Sequence, residues 1–260
     1  MLKFVKPKKS LGQHFLKDNN IAKKIVNSLD GKPKNVLEIG PGMGILTRFL
    51  LKKKYNLRLV EIDSESISFL INQLGVEKSI IIENDFLKLD LNKVFGCNNF
   101  SIIGNFPYNI SSQIVFKILE NRNIIKEMCG MFQYEVAERI CESEGSKKYG
   151  ILSVLTQAFF EVSFLFEVSN RLFIPPPKVK SAVITLRRKD EIELGCDETL
   201  FFKIVKLSFQ QRRKTIRNSL KKINLSNNLR EDSIFDNRPE QLSVNQFIEL
   251  TKLVQGDLKM

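Results

Sequence analysis

Histidine is almost absent from this chain: His14 is the only one in 260 residues. Cysteine is little richer, with Cys97, Cys129, Cys141 and Cys196 far apart and no Cys-x-x-Cys pair among them. Zinc sites and disulfide frameworks are disfavoured by those two shortages, and free buried thiols are expected instead. Nor is there an apolar run near the ~18 residues that a membrane helix requires. The basic amino terminus lacks the apolar core of a signal peptide, and its acidic residues argue against a transit peptide. A cytoplasmic monomer is expected, with no membrane partner and no metal. Internal repeats and low-complexity segments are also missing.

Acid is missing where base is densest. Residues 203–222 carry Lys203, Lys206, Arg212, Arg213, Lys214, Arg217, Lys221 and Lys222 without one Asp or Glu, in a chain of net charge +12. Like charges packed that densely repel one another unless phosphates sit nearby, so a polyanionic partner is expected. Arg212, Arg213, Lys214 and Arg217 are the candidate phosphate contacts. A helix over 199–222 would place Arg213 and Arg217 on one face.

What is present suits a folded protein, with 43% hydrophobic and 27% charged residues. The length accommodates one large domain and a small one. After a lysine-rich segment, 1–34, strands and helices alternate. Strands are expected at 35–39, 58–62, 79–82, 100–103 and 127–132, with helices at 45–53, 64–74 and 111–120. Such alternation predicts an α/β fold with a parallel sheet covered on both faces. Residues 159–168 and 181–187 would add an antiparallel edge. The character changes after Lys189, so the domains are drawn as 1–189 and 190–260, the second helical, with amphipathic helices over 199–222 and 239–254.

Two motifs carry chemistry. Gly40-x-Gly42-x-Gly44 follows a buried strand and precedes a helix, as a nucleoside site requires. The dinucleotide pattern would put its third glycine at position 45, where Ile45 stands, and Glu38 on the strand would repel a pyrophosphate. A cationic sulfonium tolerates that acid. Glu61 closes the second strand, where a carboxylate can accept both ribose hydroxyls, and Asp63 reads as a helix cap. Asp85 ends the third strand and can accept from an adenine amino group, with Phe86 behind the ring.

The second motif is Asn105-Phe106-Pro107-Tyr108. There the Asn105 oxygen and the Phe106 carbonyl can accept both hydrogens of an amino-bearing base. Tyr108 would stack on that base for roughly 1–3 kcal/mol. Phe173 fits either the core or the base's second face. His14 is expected to shape a loop over the site rather than act as a base. Together the motifs predict methyl transfer from S-adenosylmethionine to an adenine amino nitrogen.

These residues resemble the KsgA-like small-subunit ribosomal RNA adenine N6,N6-dimethyltransferases over nearly the whole chain. The matching segments are 9–16, 38–44, Glu61, 84–85, 104–110, 173–179 and 210–220. The resemblance implies a Rossmann-like class I methyltransferase sheet and a small helical RNA-binding domain. It implies dimethylation of two adjacent adenosines in the 3′-terminal hairpin loop of 16S rRNA, within an assembling small subunit. It also implies cofactor contacts at His14, Leu16, Gly40, Gly42, Glu61, Asp85 and Asn105. Two positions depart from the usual pattern: His14, where Asn is common, and Phe106, where Leu is usual. The rival readings are a 23S rRNA adenine methyltransferase of the macrolide-resistance type and a non-catalytic RNA-binding relative.

Overall fold

The computed structural model describes residues 5–29 and 33–258; residues 1–4 and 30–32 of the basic segment lie outside them. Contacts gather the chain into two units, residues 1–137 with 162–188, and residues 138–161 with 189–260.

In the first unit β1 (Phe15–Leu16) leads to α1 (Asn19–Asn27), β2 (Asn35–Ile39), α2 (Thr47–Leu50) and β3 (Asn56–Glu61). Then come α3 (Ser64–Leu74), β4 (Ile81–Glu83), β5 (Phe100–Asn105), α4 (Ser111–Glu120), β6 (Ile125–Gln133) and the start of α5 (Tyr134–Cys141), which passes into the second unit at Glu138. After α6 (Ile151–Phe159) the chain re-enters this unit through β7 (Phe160–Val168), β8 (Phe173–Ile174) and β9 (Ser181–Arg188). The seven-stranded sheet runs β4-β3-β2-β5-β6-β9-β7. Its β4 to β6 stretch is parallel, and β9 joins β6 antiparallel from Glu127↔Arg187 to Gln133↔Ser181.

The central strands are apolar because both faces are covered. All of β2 is buried, and α3 is delimited locally by Asp63 at its start and Gly75 at its end. Separately, β1 pairs antiparallel with β8, Phe15 opposite Ile174 and Leu16 opposite Phe173, which ties the amino-terminal segment to this unit.

Three expectations need correction. The helix expected at 45–53 narrows to α2, flanked by i→i+3 bonds such as Phe49 N to Leu46 O at 2.9 Å. Strand β4 stops at Glu83, so Asp85 lies in the turn beyond it. Residues 138–161 belong to the second unit, not the first. The reason is packing within that unit: Val154, Leu155, Ala158 and Phe159 of α6 are buried, and Phe159 meets Phe201 at 6.5 Å.

The second unit continues with α7 (Glu198–Gln210), α8 (Ile216–Ser219), α9 (Asn227–Arg230) and α10 (Val244–Asp257). The helix expected over 199–222 is therefore broken. Gln211–Lys214 form a turn closed by Lys214 N to Gln211 O at 2.7 Å, and Thr215 is extended. Arg213 and Arg217 do not share a helical face. Cationic neighbours at helical spacing oppose continuation of α7 through this run.

Candidate active site

Strand β5 ends at Asn105, and the chain turns through Phe106 and Pro107 into a 3-10 turn at Tyr108–Ile110. Phe106 anchors that turn from below. Its ring is 1% exposed and meets Phe132 edge-on at 5.0 Å. A β-carbon on Gly130 would come within 2.1 Å of that ring, so only glycine on β6 leaves room for it. With the side chain in the core, the Phe106 backbone is fixed by its N–H to Met131 O at 3.1 Å.

The Asn105 amide is also held. Its Nδ2 donates to the His14 carbonyl at 2.9 Å. A carbonyl can only accept, so this bond decides which end of the amide is nitrogen and leaves Oδ1 as the acceptor. The ring of Tyr108 is fixed at both its tip and one face. Its hydroxyl pairs with Ser181 Oγ at 2.5 Å, and the His14 imidazole stacks on it at 5.4 Å and 28°. A base can therefore stack only on the opposite face. Burial pushes the Tyr108 phenol up, so it stays neutral.

These groups border a cavity of about 240 Å³ that also includes Gly40, Gly42, Glu61, Asn84, Asp85 and Phe86. Gly40 and Gly42 have φ of 63° and 54°, and a β-carbon on Gly42 would meet Phe15 at 2.8 Å. The turn thus folds back beneath the amino-terminal segment, whose residues Ser10–Phe15 form another wall. That segment is latched to the end of β3. Lys8 Nζ lies 2.5 Å from Asp63 Oδ1 and 3.0 Å from Glu65 Oε1, and Gln13 Nε2 donates to Asp63 Oδ2 at 3.1 Å. Burial alone would raise the Asp63 carboxyl, but hydrogen bonds from Lys8, Gln13 and Ser66 outweigh it and hold it below the ordinary aspartate range. Asp63 is therefore a cap, accepting from Glu65 N at 3.3 Å, and a latch as well.

Glu61 departs from the simplest expectation. Its Oε1 accepts from Ile62 N at 2.9 Å and Asp63 N at 3.0 Å, and Oε2 accepts from Gly42 N at 3.0 Å. A carboxylate offers about four acceptor positions. One remains, enough for a single ribose hydroxyl rather than two. Burial raises the Glu61 carboxyl, and these backbone N–H groups act against that. Glu38 is fully buried and, among the described residues, accepts only from Thr47 Oγ1 at 2.7 Å; burial pushes its carboxyl up to about 8, with Glu61 adding to the rise. Asp85 accepts from Leu87 N through Oδ1 at 2.9 Å while lining the cavity, so it serves its turn and still offers Oδ2.

Among the described residues, the cavity wall holds Glu61 and Asp85 but no Lys or Arg. In a chain of net charge +12 that is a selective lining. It repels phosphate-bearing cofactors and suits a ligand combining a flat base, a ribose and positive charge.

One expected contact falls elsewhere. Phe173 is 1% exposed within the apolar core of this unit, where β8 pairs with β1, so its ring has no face to offer a base. Leu16 is 3% exposed and borders a smaller cavity of about 30 Å³ with Glu38, which shares Phe15, Gly40 and Asn105 with the larger one. His14 lines the main cavity, but its Nδ1 bonds to Pro175 O at 2.8 Å. In the second unit, Arg212 donates to Ser146 O at 3.1 Å and Arg217 pairs with Asp236 at 2.5 Å, while Arg213 and Lys214 face solvent. Sequence reasoning missed the Lys8–Asp63–Gln13 latch and the Ser181 partner of Tyr108, which no local pattern signals.

Comparison with known proteins agrees with this geometry. A family model described as ribosomal RNA adenine dimethylase matches residues 5–255. The ribosomal RNA small subunit methyltransferase A of Flavobacterium johnsoniae is 60% identical over 97% of both chains. Its namesake from Bacteroides thetaiotaomicron is 55% identical over 99% of this chain and 97% of its own. Among solved structures, a dimethyladenosine transferase from Plasmodium falciparum superposes with a TM-score of 0.77 at 26% identity, covering 91% of this chain and 96% of its own. The 23S rRNA methyltransferase ErmE gives 0.68 at 28% identity, covering 92% and 99%.

Proposed function

The chain belongs to the ribosomal RNA adenine dimethylase family, and we propose that it methylates N6 of two adjacent adenosines in the 3′-terminal hairpin loop of 16S rRNA, using S-adenosylmethionine, on an assembling small subunit. The observation that carries this is the fixed Asn105 amide, its oxygen freed by the bond to His14 O, beside an acidic cavity at the glycine turn.

S-adenosylmethionine, when bound, supplies an electrophilic methyl group. Gly40, Gly42, Glu61 and Asp85 would hold it, with Asp85 Oδ2 suited to an adenine amino group and the remaining Glu61 position to a ribose hydroxyl. The protein's task is the target nitrogen. Its lone pair is delocalised into the adenine ring, and accepting both amino hydrogens at Asn105 Oδ1 and the Phe106 carbonyl favours pyramidalisation. No base is needed beforehand, because the nitrogen sheds its proton after transfer. Catalysis is then positioning and electrostatics. Drawing the base from its hairpin costs a few kcal/mol, part of which stacking on the open face of Tyr108 offsets. At the second transfer N6 has one hydrogen left, and a neutral amide tolerates the unmet bond better than a carboxylate would.

The 23S reading is supported by the ErmE likeness, but sequence relatives at 55–60% identity carry the small-subunit name. Mass spectrometry of rRNA from cells lacking the chain, together with transfer by the purified protein onto undermethylated small subunits, tests the proposal. Adjacent dimethyladenosines missing from 16S rRNA and restored by the protein are expected. Methylation confined to 23S rRNA would overturn it.

A further inference from the structure

Glu38 is left without a task by the transfer chemistry. It stands on β2 just before the glycine turn, is 1% exposed, and borders the smaller cavity with Gly40, Met43 and Asn105. Two buried carboxyls, Glu38 and Glu61, therefore serve one turn, and neither cavity has a Lys or Arg in its described wall. An ionised carboxylate without a cation in such surroundings is costly and sheds the cost by taking a proton.

Hydrogen bonds decide which acid does so. Among the described residues, Glu61 is met by three backbone N–H groups, which stabilise its charge, whereas Glu38 is met by the Thr47 hydroxyl alone. Of the two, Glu61 is the better placed to keep its charge and Glu38 to hold a proton. Burial, with Glu61 close by, pushing the Glu38 carboxyl up to about 8 agrees with that division. Other charged or titratable groups on surrounding elements are Asp63 in its salt bridge with Lys8, His14, and Arg48 on α2, whose Nε donates to Gly44 O at 3.4 Å. Of the neighbouring charges, Glu61 is the one that acts on Glu38.

We propose that Glu38 is a proton-exchanging counter-charge of the cofactor site, protonated in the free protein and ionised when a cationic cofactor enters. This rests on the S-adenosylmethionine reading of the cavity and adds a linkage to it. The cofactor carries a sulfonium and an ammonium, and positive charge nearby favours the ionised acid. The Glu38 proton passes to solvent and no bond within the ligand changes. A proton lost on binding makes affinity rise with pH, by up to roughly tenfold per unit, and level off above about 8, where the free protein no longer holds that proton.

Calorimetric titration of the full chain with S-adenosylmethionine at about pH 6.5 counts the proton, because an α-ammonium group titrates near ~7.7–8.0 and stays protonated there. Heats are compared in PIPES and Bis-Tris, whose ionisation enthalpies differ. Release of close to one proton per cofactor is expected from the wild type. None is expected when Glu38→Gln binds the cofactor, or when the wild type binds 5′-methylthioadenosine, which lacks both positive charges. Buffer-independent heats for the wild type with S-adenosylmethionine, or an undiminished release from Glu38→Gln, would overturn the proposal. Should Glu38→Gln not fold, the two ligands on the wild type decide it. Absence of binding by either ligand would instead overturn the cofactor reading beneath it.

Discussion

The Asn105 side chain would be free to turn over by half a rotation were its nitrogen not tied to the His14 carbonyl. Substituting Asn105→Ala removes an acceptor that matters most as the methyl approaches. Transfer onto undermethylated subunits should fall on the order of 100-fold, while calorimetry should show cofactor affinity changed far less; comparable transfer by the two proteins would remove Asn105 from the chemistry. The turn itself was legible, because four consecutive residues bring the acceptors and the stacking ring together. The orientation of its amide was not, since the group that sets it lies 91 residues away. Phe173 shows the same limit. A phenylalanine suits a core or a stacking face equally, and the β1–β8 pairing that buries it is a long-range event. Phe173→Ala should lower stability by about 3–5 kcal/mol, the usual cost of a large core deletion. Denaturant titration checks this, and an unaltered midpoint with weakened rRNA binding would restore the stacking role.

At the scale of elements, the strap formed by residues 8–15 depends on the Asp63 carboxylate. Hydrogen bonding holds the folded-state Asp63 pKa below the unfolded value. Its contribution is therefore complete above the unfolded value and lost as pH falls through the folded one. Amide resonances of the strap should stay put from neutral pH down to about 4, the ordinary aspartate range, and shift below it. In Asp63→Asn they should sit at the released position already at neutral pH, and a strap unmoved by that change would show that β1 alone holds it. Helix α3 could be read because its ends are marked locally, by Asp63 and Gly75. The expected long basic helix failed for a physical reason: Arg212 and Arg217 find partners within their own unit, and the chain bends to let them.

For the molecule as a whole, the +12 charge makes rRNA association salt-dependent, but not every cation is free to contribute. Arg213 and Lys214 face solvent. Neutralising both should flatten the plot of log affinity against log salt by roughly 0.7–0.9 units per residue, with cofactor binding intact. Arg217→Gln should instead destabilise the second unit, because Asp236 and the Arg230 carbonyl lose their donor. Equal slopes before and after the double change would leave that basic turn without a role in binding.

The division of the chain has a further meaning for gene architecture. Residues 138–161 and 189–260 form one body, interrupted by the strands that complete the sheet. The carboxy-terminal part is accordingly no exchangeable cassette. Cutting after Arg188 would orphan α6 and expose Val154, Leu155 and Phe159, so the shortened protein should precipitate or run as aggregate on size exclusion. Excising 138–161 as well, with a short linker in its place, should recover a monodisperse protein. A soluble single-cut product would show that α6 is not committed to that body. Recombination between relatives that respects the fold must therefore splice this chain at more than one place.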